Sequence, residues 1–276
     1  MRTPLRKISS KLTAVGPDMH VLRPLPGPGL REVGPFIMLD HFGPESKPMG
    51  ETADVPPHPH AGFQTVTYLY DGVGYHLDSQ GGDQHIHPGG VNWMTAGKGI
   101  VHAERMSPGT SGQFEGFQIW VNLPAAHKDT NPGFEGYAPT ELPLVQGEFG
   151  QVRVIAGAWE AYASPVKPFS QLLLWDLEVN SGQTVSLPIP PDYEVGAYIG
   201  KGNLQDLGKR GDLIIWDPST EPIKLTAETN ARIMVLAGVP LQEPVAAYGP
   251  FVMNHMTEIQ AAIRSYQSGE MGDVPW

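Results

Sequence analysis

The sequence predicts an all-β protein built as two barrels, with one short helix near its C-terminal end. Three observations predict it. Glycine and proline number 33 and 28 of 276 residues, where ordinary chains devote about 12% to the pair. Such a composition disfavours long helices and favours short strands joined by turns. Runs of β-branched and aromatic residues recur about every ten residues, each closed by a turn signal. Helical spacing is clear only near the end. With 40% hydrophobic residues, the chain has enough apolar material for the cores of two domains.

Taken in order, residues 1–30 read as an extended arm that ends in the Pro/Gly-rich stretch 23–29. Residues 35–40 form a short apolar run. Residues 65–70 read as a strand stopped by Asp71 and Gly72, 91–94 as one stopped by Ala96 and Gly97, and 117–123 as one stopped by Pro124. Residues 124–147 carry Pro, Gly, Asn and Asp without a period, so the inter-domain connection is expected there. The division is drawn as 1–130 for the first barrel and 131–276 for the second. Further strands are expected at 152–156, 171–179, 184–188, 195–199, 212–216, 223–227 and 232–237, separated by Gly-containing turns. The stretch 88–93 resembles 209–216: in both, a Gly turn leads into a strand ending in Trp, as two copies of one barrel would give. At the end, Ile259, Ile263 and Tyr266 follow a helical spacing, with Thr257 and Gln260 as an expected capping box and Gly269 as the stop.

Nine of ten histidines precede residue 128, and the next is His255. Metal-ligand chemistry is therefore expected in the first barrel alone. His58-Pro59-His60 sets two imidazoles on one face of a strand, because residues i and i+2 share a face. Pro56, Pro57 and Pro59 remove ladder donors, so this is a strand entry or an edge. His102-Ala103-Glu104 repeats the spacing. On a neighbouring strand it completes three imidazoles and one carboxylate. That set suits Fe, Mn, Ni, Cu or Zn rather than Ca or Mg, and in an octahedral shell it leaves two positions open. His85 and His87 form a third such pair, but flanking glycines read as a loop tip. His76, followed by Asp78, reads as part of a solvated hairpin or as an orienting partner. His41 and His127 lie among turn residues and read as surface positions. Gln64, Val66 and Tyr68 share the parity of His60 and are expected to line the barrel interior and the substrate pocket, provided no bulge intervenes.

Several classes are disfavoured. A net charge of −11 argues against direct nucleic-acid binding. The chain has no cysteine, so it has no thiolate site, disulfide or cysteine nucleophile. No stretch approaches the ~20 apolar residues of a membrane span, and the basic N-terminus lacks the apolar run of a secretory signal. A cytoplasmic protein is expected. No phosphate loop and no Gly-x-Ser-x-Gly elbow is present.

At its motifs the chain resembles the pirin family of two-cupin proteins. The stretches that carry the resemblance are 34–44, Pro57-His58-Pro59-His60 with 62–68, 93–104, and 249–254. The resemblance implies two cupin barrels (double-stranded β-helix, or jelly roll) packed face to face, with the metal in the first. It implies His58, His60, His102 and Glu104 as ligands of one divalent metal, iron(II) first, with Zn, Mn, Ni or Cu as alternatives. The general cupin pattern has Glu four residues after the second His; Gln64 stands there, which leaves the carboxylate role to Glu104. Pirins commonly carry Arg at the position of Ala61 and Asp at that of Gly90, so charge near the site is reduced. The resemblance further implies a dioxygenase that opens flavonols such as quercetin with O2 and releases CO, with Glu104 doubling as proton acceptor. The alternative it implies is an iron-dependent, redox-sensing regulator with a protein partner. A metal-binding, non-redox isomerase is a third reading.

Overall fold

The structure, a computed structural model, describes residues 2–15 and 19–276. The chain divides into two compact units. One gathers Met1–Leu12, Leu22–Leu39 and Thr140–Leu241; the other gathers Thr13–Val21, Asp40–Pro139 and Gln242–Trp276. The division expected at 130/131 is corrected by pairing. Residues 133–137 pair with 91–95, so the first barrel runs on past that point, and the chain changes unit at Pro139, inside the stretch 124–147. The C-terminal helix likewise groups with the first barrel and not with the second.

The unit that carries the histidines is built from β4 (Phe36–Ser46), β5 (Ala53–His60), β6 (Phe63–Asp71), β7 (Val73–Asp78), β8 (Asp83–Ile86), β9 (Val91–Thr95), β10 (Ile100–Ser107), β11 (Gln113–Asn122) and β12 (Gly133–Tyr137). Three strands precede these: β1 (Arg6–Ser9), β2 (Lys11–Ala14) and β3 (His20–Leu25). The expected extended arm is thus largely paired. β5, β10, β7 and β8 form one sheet in that order, and β12, β9, β6, β11, β4, β3 and β2 form the other. The apolar run expected at 35–40 opens β4, which continues to Ser46 and lies between β11 and β3 in the sheet.

β5 is an edge strand, as its prolines dictate. Its register against β10 slips once: His102 faces His58, while Glu104 faces Val55. The extra residue lies at Pro56-Pro57, where neither residue has an N–H to lose. This bulge turns Ala53 and Val55 to the same face as His58 and His60. Phe42, Leu69, Ile86, Met106 and Phe114 form the apolar floor of this barrel.

β10 serves two faces. His102, Glu104 and Met106 point inward. Val101 and Ala103 point outward, where Ile259 and Ala262 of helix α1 (Met256–Gln267) cover them together with Phe251 and Met271. The helix begins at His255, two residues before the expected cap. Glu258 Oε2 accepts from the His255 and Asn254 N–H groups, the work expected of Gln260. Tyr266 is exposed, and Ala262 takes its place in the buried stripe. Gly269 does stop the helix, with φ +79°.

The second unit is one seven-stranded sheet in the order β1, 212–216, 194–201, 231–238, 172–179, 150–156, 144–147, with 184–187 and 223–226 paired separately. Trp175, Leu177, Val195, Ile214, Trp216 and Ile233 fill its core. The two halves of the faint repeat, 91–95 and 212–216, each lie second from a sheet edge. No helix among the described residues is long and apolar enough to cross a membrane. Leu177 is fully buried in the second core. Leu177→Ala should cost about 2–5 kcal/mol, read as a lower urea midpoint at unchanged slope.

Candidate metal centre

The fold brings His58, His60 and His102 together, with one ring nitrogen of each within 4.8 Å of the others. His58 and His60 come from edge strand β5 and His102 from the strand beside it. His58 Nδ1 lies 2.9 Å from the Pro56 carbonyl, the bulge's own oxygen. His60 Nδ1 lies 3.3 Å from the Pro250 carbonyl. A carbonyl only accepts, so both rings carry their proton on Nδ1 and turn an Nε2 lone pair away from the wall. His58 Nε2 and His102 Nε2 lie 2.9 Å apart, and the buried His102 Nδ1 has no hydrogen-bond partner. Imidazole nitrogens aimed at one another at this distance are what a shared cation would occupy. Burial leaves His60 and His102 as neutral nitrogen donors, and with His58 and a carboxylate nearby the set fits a divalent transition metal.

Glu104 stands two residues along β10 from His102, on the same face, and is buried. It lies in a second group with His102 and His76, again within 4.8 Å. Its Oε1 accepts from Thr67 Oγ1 at 2.9 Å. That hydroxyl also lies 2.8 Å from Gln118 Oε1, and with one proton it serves one oxygen at a time. The expected four residues therefore fall, with His76 as a fifth, into two overlapping triads that share His102.

His76, which the sequence offers as part of a solvated hairpin or as an orienting partner, joins the cluster. It is buried, not solvated, and it pairs across β7 and β10 with Glu104. Its Nε2–H donates to Asp78 Oδ2 at 2.8 Å, and its ring stacks on Phe134 at 4.2 Å. Burial would raise the Asp78 carboxyl, but bonds from His76, Gly82 and Gln80 outweigh it and hold the group below its usual range. The i, i+2 spacing of His76 and Asp78 was the available signal. His41 is also buried, bonded to Glu115 and stacked on Phe117. His127 is exposed. His85 and His87 are exposed at β8 and its end, and neither joins the cluster.

The pocket expectation needs correction. Ala61 and Gly62 interrupt the strand between His60 and Phe63, so parity does not carry across. Thr67 reaches Glu104; by alternation Gln64, Val66 and Tyr68 project from the other face of β6. Gln64 Nε2 donates to Thr95 Oγ1 there. The residues on the cluster's side are Phe63, Thr65, Thr67, Gln118 and Trp120. Trp120 lies 5.3 Å from the His60 ring and 4.2 Å from that of Phe63. His58, Gln118 and Trp120 are half-buried, which marks the approach from solvent. Ala61 lies in the apolar layer under α1, so its position faces away from the cluster.

A jelly-roll barrel with inward-facing imidazoles on adjacent strands, followed by a second barrel, defines a protein of the two-cupin class. Residues 18–121 match the Pirin family and 174–272 the Pirin C-terminal cupin domain, and the chain belongs to the pirin family. A Pseudomonas aeruginosa protein whose name assigns it provisionally to the quercetin 2,3-dioxygenases is 36% identical over 265 residues, 92% of each chain. A pirin-like protein of Caulobacter vibrioides is 33% identical, covering 98% of this chain and 99% of its own. The crystal structure of a quercetin 2,3-dioxygenase from Acinetobacter baumannii superposes with TM-score 0.91 at 32% identity, covering 99% of both chains.

Burial holds the His60 and His102 imidazoliums well below the ordinary 6.5, and neighbouring imidazoles add to it. Both rings are neutral at pH 7. In the unfolded chain they titrate near 6.5, so below that pH the unfolded state takes up protons that the folded state refuses. Stability is complete above 6.5 and falls on acidification toward the folded values. Asp78 acts only further down, below 3.8. Metal-free protein should therefore lose thermal stability between pH 7 and 5, and His102→Gln should flatten that slope. An unchanged slope in the variant would contradict the assignment.

Proposed function

We propose that this pirin is a metal-dependent dioxygenase acting on flavonol-like aromatic enols with O2, in the manner of quercetin 2,3-dioxygenases. His58, His60, His102 and Glu104 hold one divalent metal ion, with iron(II) as the first candidate. The observation that carries the reading is the convergence on His102 of His58 and His60 on one side and of His76 and Glu104 on the other. The similarity to quercetin 2,3-dioxygenases at above 30% identity over nearly the whole chain supports the substrate class.

The bound ion would act as Lewis acid and lower the pKa of an enol hydroxyl. The remaining work falls to the chain. Pro56 and Pro250 fix the His58 and His60 rings, so little reorganisation is needed on loading. Half-buried Trp120, backed by the buried Phe63, offers an aromatic face beside His60, suited to stacking a planar ring. Thr67 occupies one oxygen of Glu104 and leaves Oε2 to face the ligand or to accept the enol proton. His76, held by Asp78, backs Glu104 from β7. The buried walls keep water from the reacting face.

A second reading is an iron-dependent regulator that binds a protein partner; the net charge of −11 favours a partner with basic patches. The deciding experiment loads metal-free protein anaerobically with Fe(II), Mn(II), Co(II), Ni(II), Cu(II) or Zn(II), adds quercetin and air, and follows flavonol absorbance and CO. Turnover with at least one metal is expected. Protein that binds these metals yet turns over no flavonol would sink the dioxygenase reading. Glu104→Gln should lower kcat by about 100-fold or more, and Thr67→Val by about 10-fold, measured under the same conditions.

A further inference from the structure

Lys128 is buried at 3% exposure, and among the described residues no carboxylate touches it. Its Nζ donates to Gly62 O at 2.7 Å, Asn122 Oδ1 at 2.6 Å and Val252 O at 3.0 Å, so all three ammonium protons are used. Burial lowers its pKa to about 8, against the pull of Glu243 and Glu258, and it stays charged at neutral pH. A lone buried cation is costly. Its three acceptors show what that cost maintains.

Gly62 follows His60 by two residues. Asn122 ends β11. Val252 belongs to the strand Phe251–Met253, which lies along the turn after β5: its N–H donates to Ala61 O at 3.0 Å, and Ala61 bridges Phe251. Pro250, just before that strand, supplies the carbonyl under His60 Nδ1. Gly62 sits at φ +87°, and a Cβ there would overlap the Val252 carbonyl oxygen. The two backbones therefore touch at this point, with their carbonyls drawn to one ammonium.

We propose that Lys128 is the positioning residue for the His60 side of the metal centre. It clamps the 60–62 turn to the 250–253 segment, so that the Pro250 carbonyl stays beneath His60 and His60 Nε2 stays aimed at the ion. The inference rests on the metal-centre reading above. Lys128 touches neither metal nor substrate and acts through His60. It has no part in coordination or in proton transfer.

The test uses full-length, metal-free protein and Co(II), whose visible spectrum reports its ligand geometry. Wild type, Lys128→Met and Asn122→Ala are compared for Co(II) Kd, for that spectrum, and for thermal stability without metal. Lys128→Met should bind about 10- to 100-fold more weakly with an altered spectrum, and Asn122→Ala should move the same way by less. A variant that folds and binds Co(II) with the wild-type Kd and spectrum, changed in thermal stability alone, overturns the proposal. Should Lys128→Met fail to fold, Asn122→Ala decides by the same criterion. Wild type that takes up no Co(II) defeats the metal-centre reading itself, and the positioning role falls with it.

Discussion

The arrangement of this protein depends on the pairing of β5 with β10 and on the single slip within it. His58 faces His102, while Val55 faces Glu104. Without the extra residue at Pro56-Pro57, the apolar positions of β5 and its histidines would lie on opposite faces. Either the barrel floor or the imidazole pair would then be turned to the outside. Proline suits the place because a bulged edge position asks for no N–H, and the carbonyl it leaves free at Pro56 is used at once by His58. One local irregularity thus joins a hydrophobic core to a polar cluster within eight residues of chain.

The polar cluster is costly to the fold that holds it. Imidazoles packed together, with His102 Nδ1 unpartnered, are poor core residues, and a charged lysine is worse. The surrounding architecture meets that cost with apolar material on both sides of β10: Met106 and Leu69 below, and Val101, Ala103 and helix α1 outside. Strain and desolvation of this kind concentrate where chemistry is done.

Much of this was legible in the sequence. The Gly/Pro punctuation gave the strands, the clustering of histidine gave the barrel that matters, and His-x-His with His-x-Glu gave the residues that meet. What was hidden has a physical reason in each case. The parity of Gln64, Val66 and Tyr68 failed because Ala61 and Gly62 break the alternation, and a two-residue turn leaves no mark on a period-2 pattern. His76 read as solvated because the short spacing to a following turn says nothing of what packs on top; Phe134, fifty-eight residues later, buries it. The domain boundary was drawn too early within the stretch 124–147 because β12 pairs back onto β9, and α1 rejoins a barrel whose strands ended much earlier. Long-range pairing of that kind is set by tertiary structure and not by local composition. The role of Lys128 lay in a stretch that carried no period at all.

The wall behind His60 has an implication for how the molecule is made. The clustered histidines and Glu104 are all synthesised by residue 104, yet Pro250, Val252 and the covering helix come more than 140 residues later. An N-terminal half emerging from the ribosome would hold the clustered side chains without the carbonyl that orients His60, and with Lys128 lacking one of its three acceptors. A product cut short before residue 250 would carry the clustered histidines and Glu104 with the wall behind His60 unfinished.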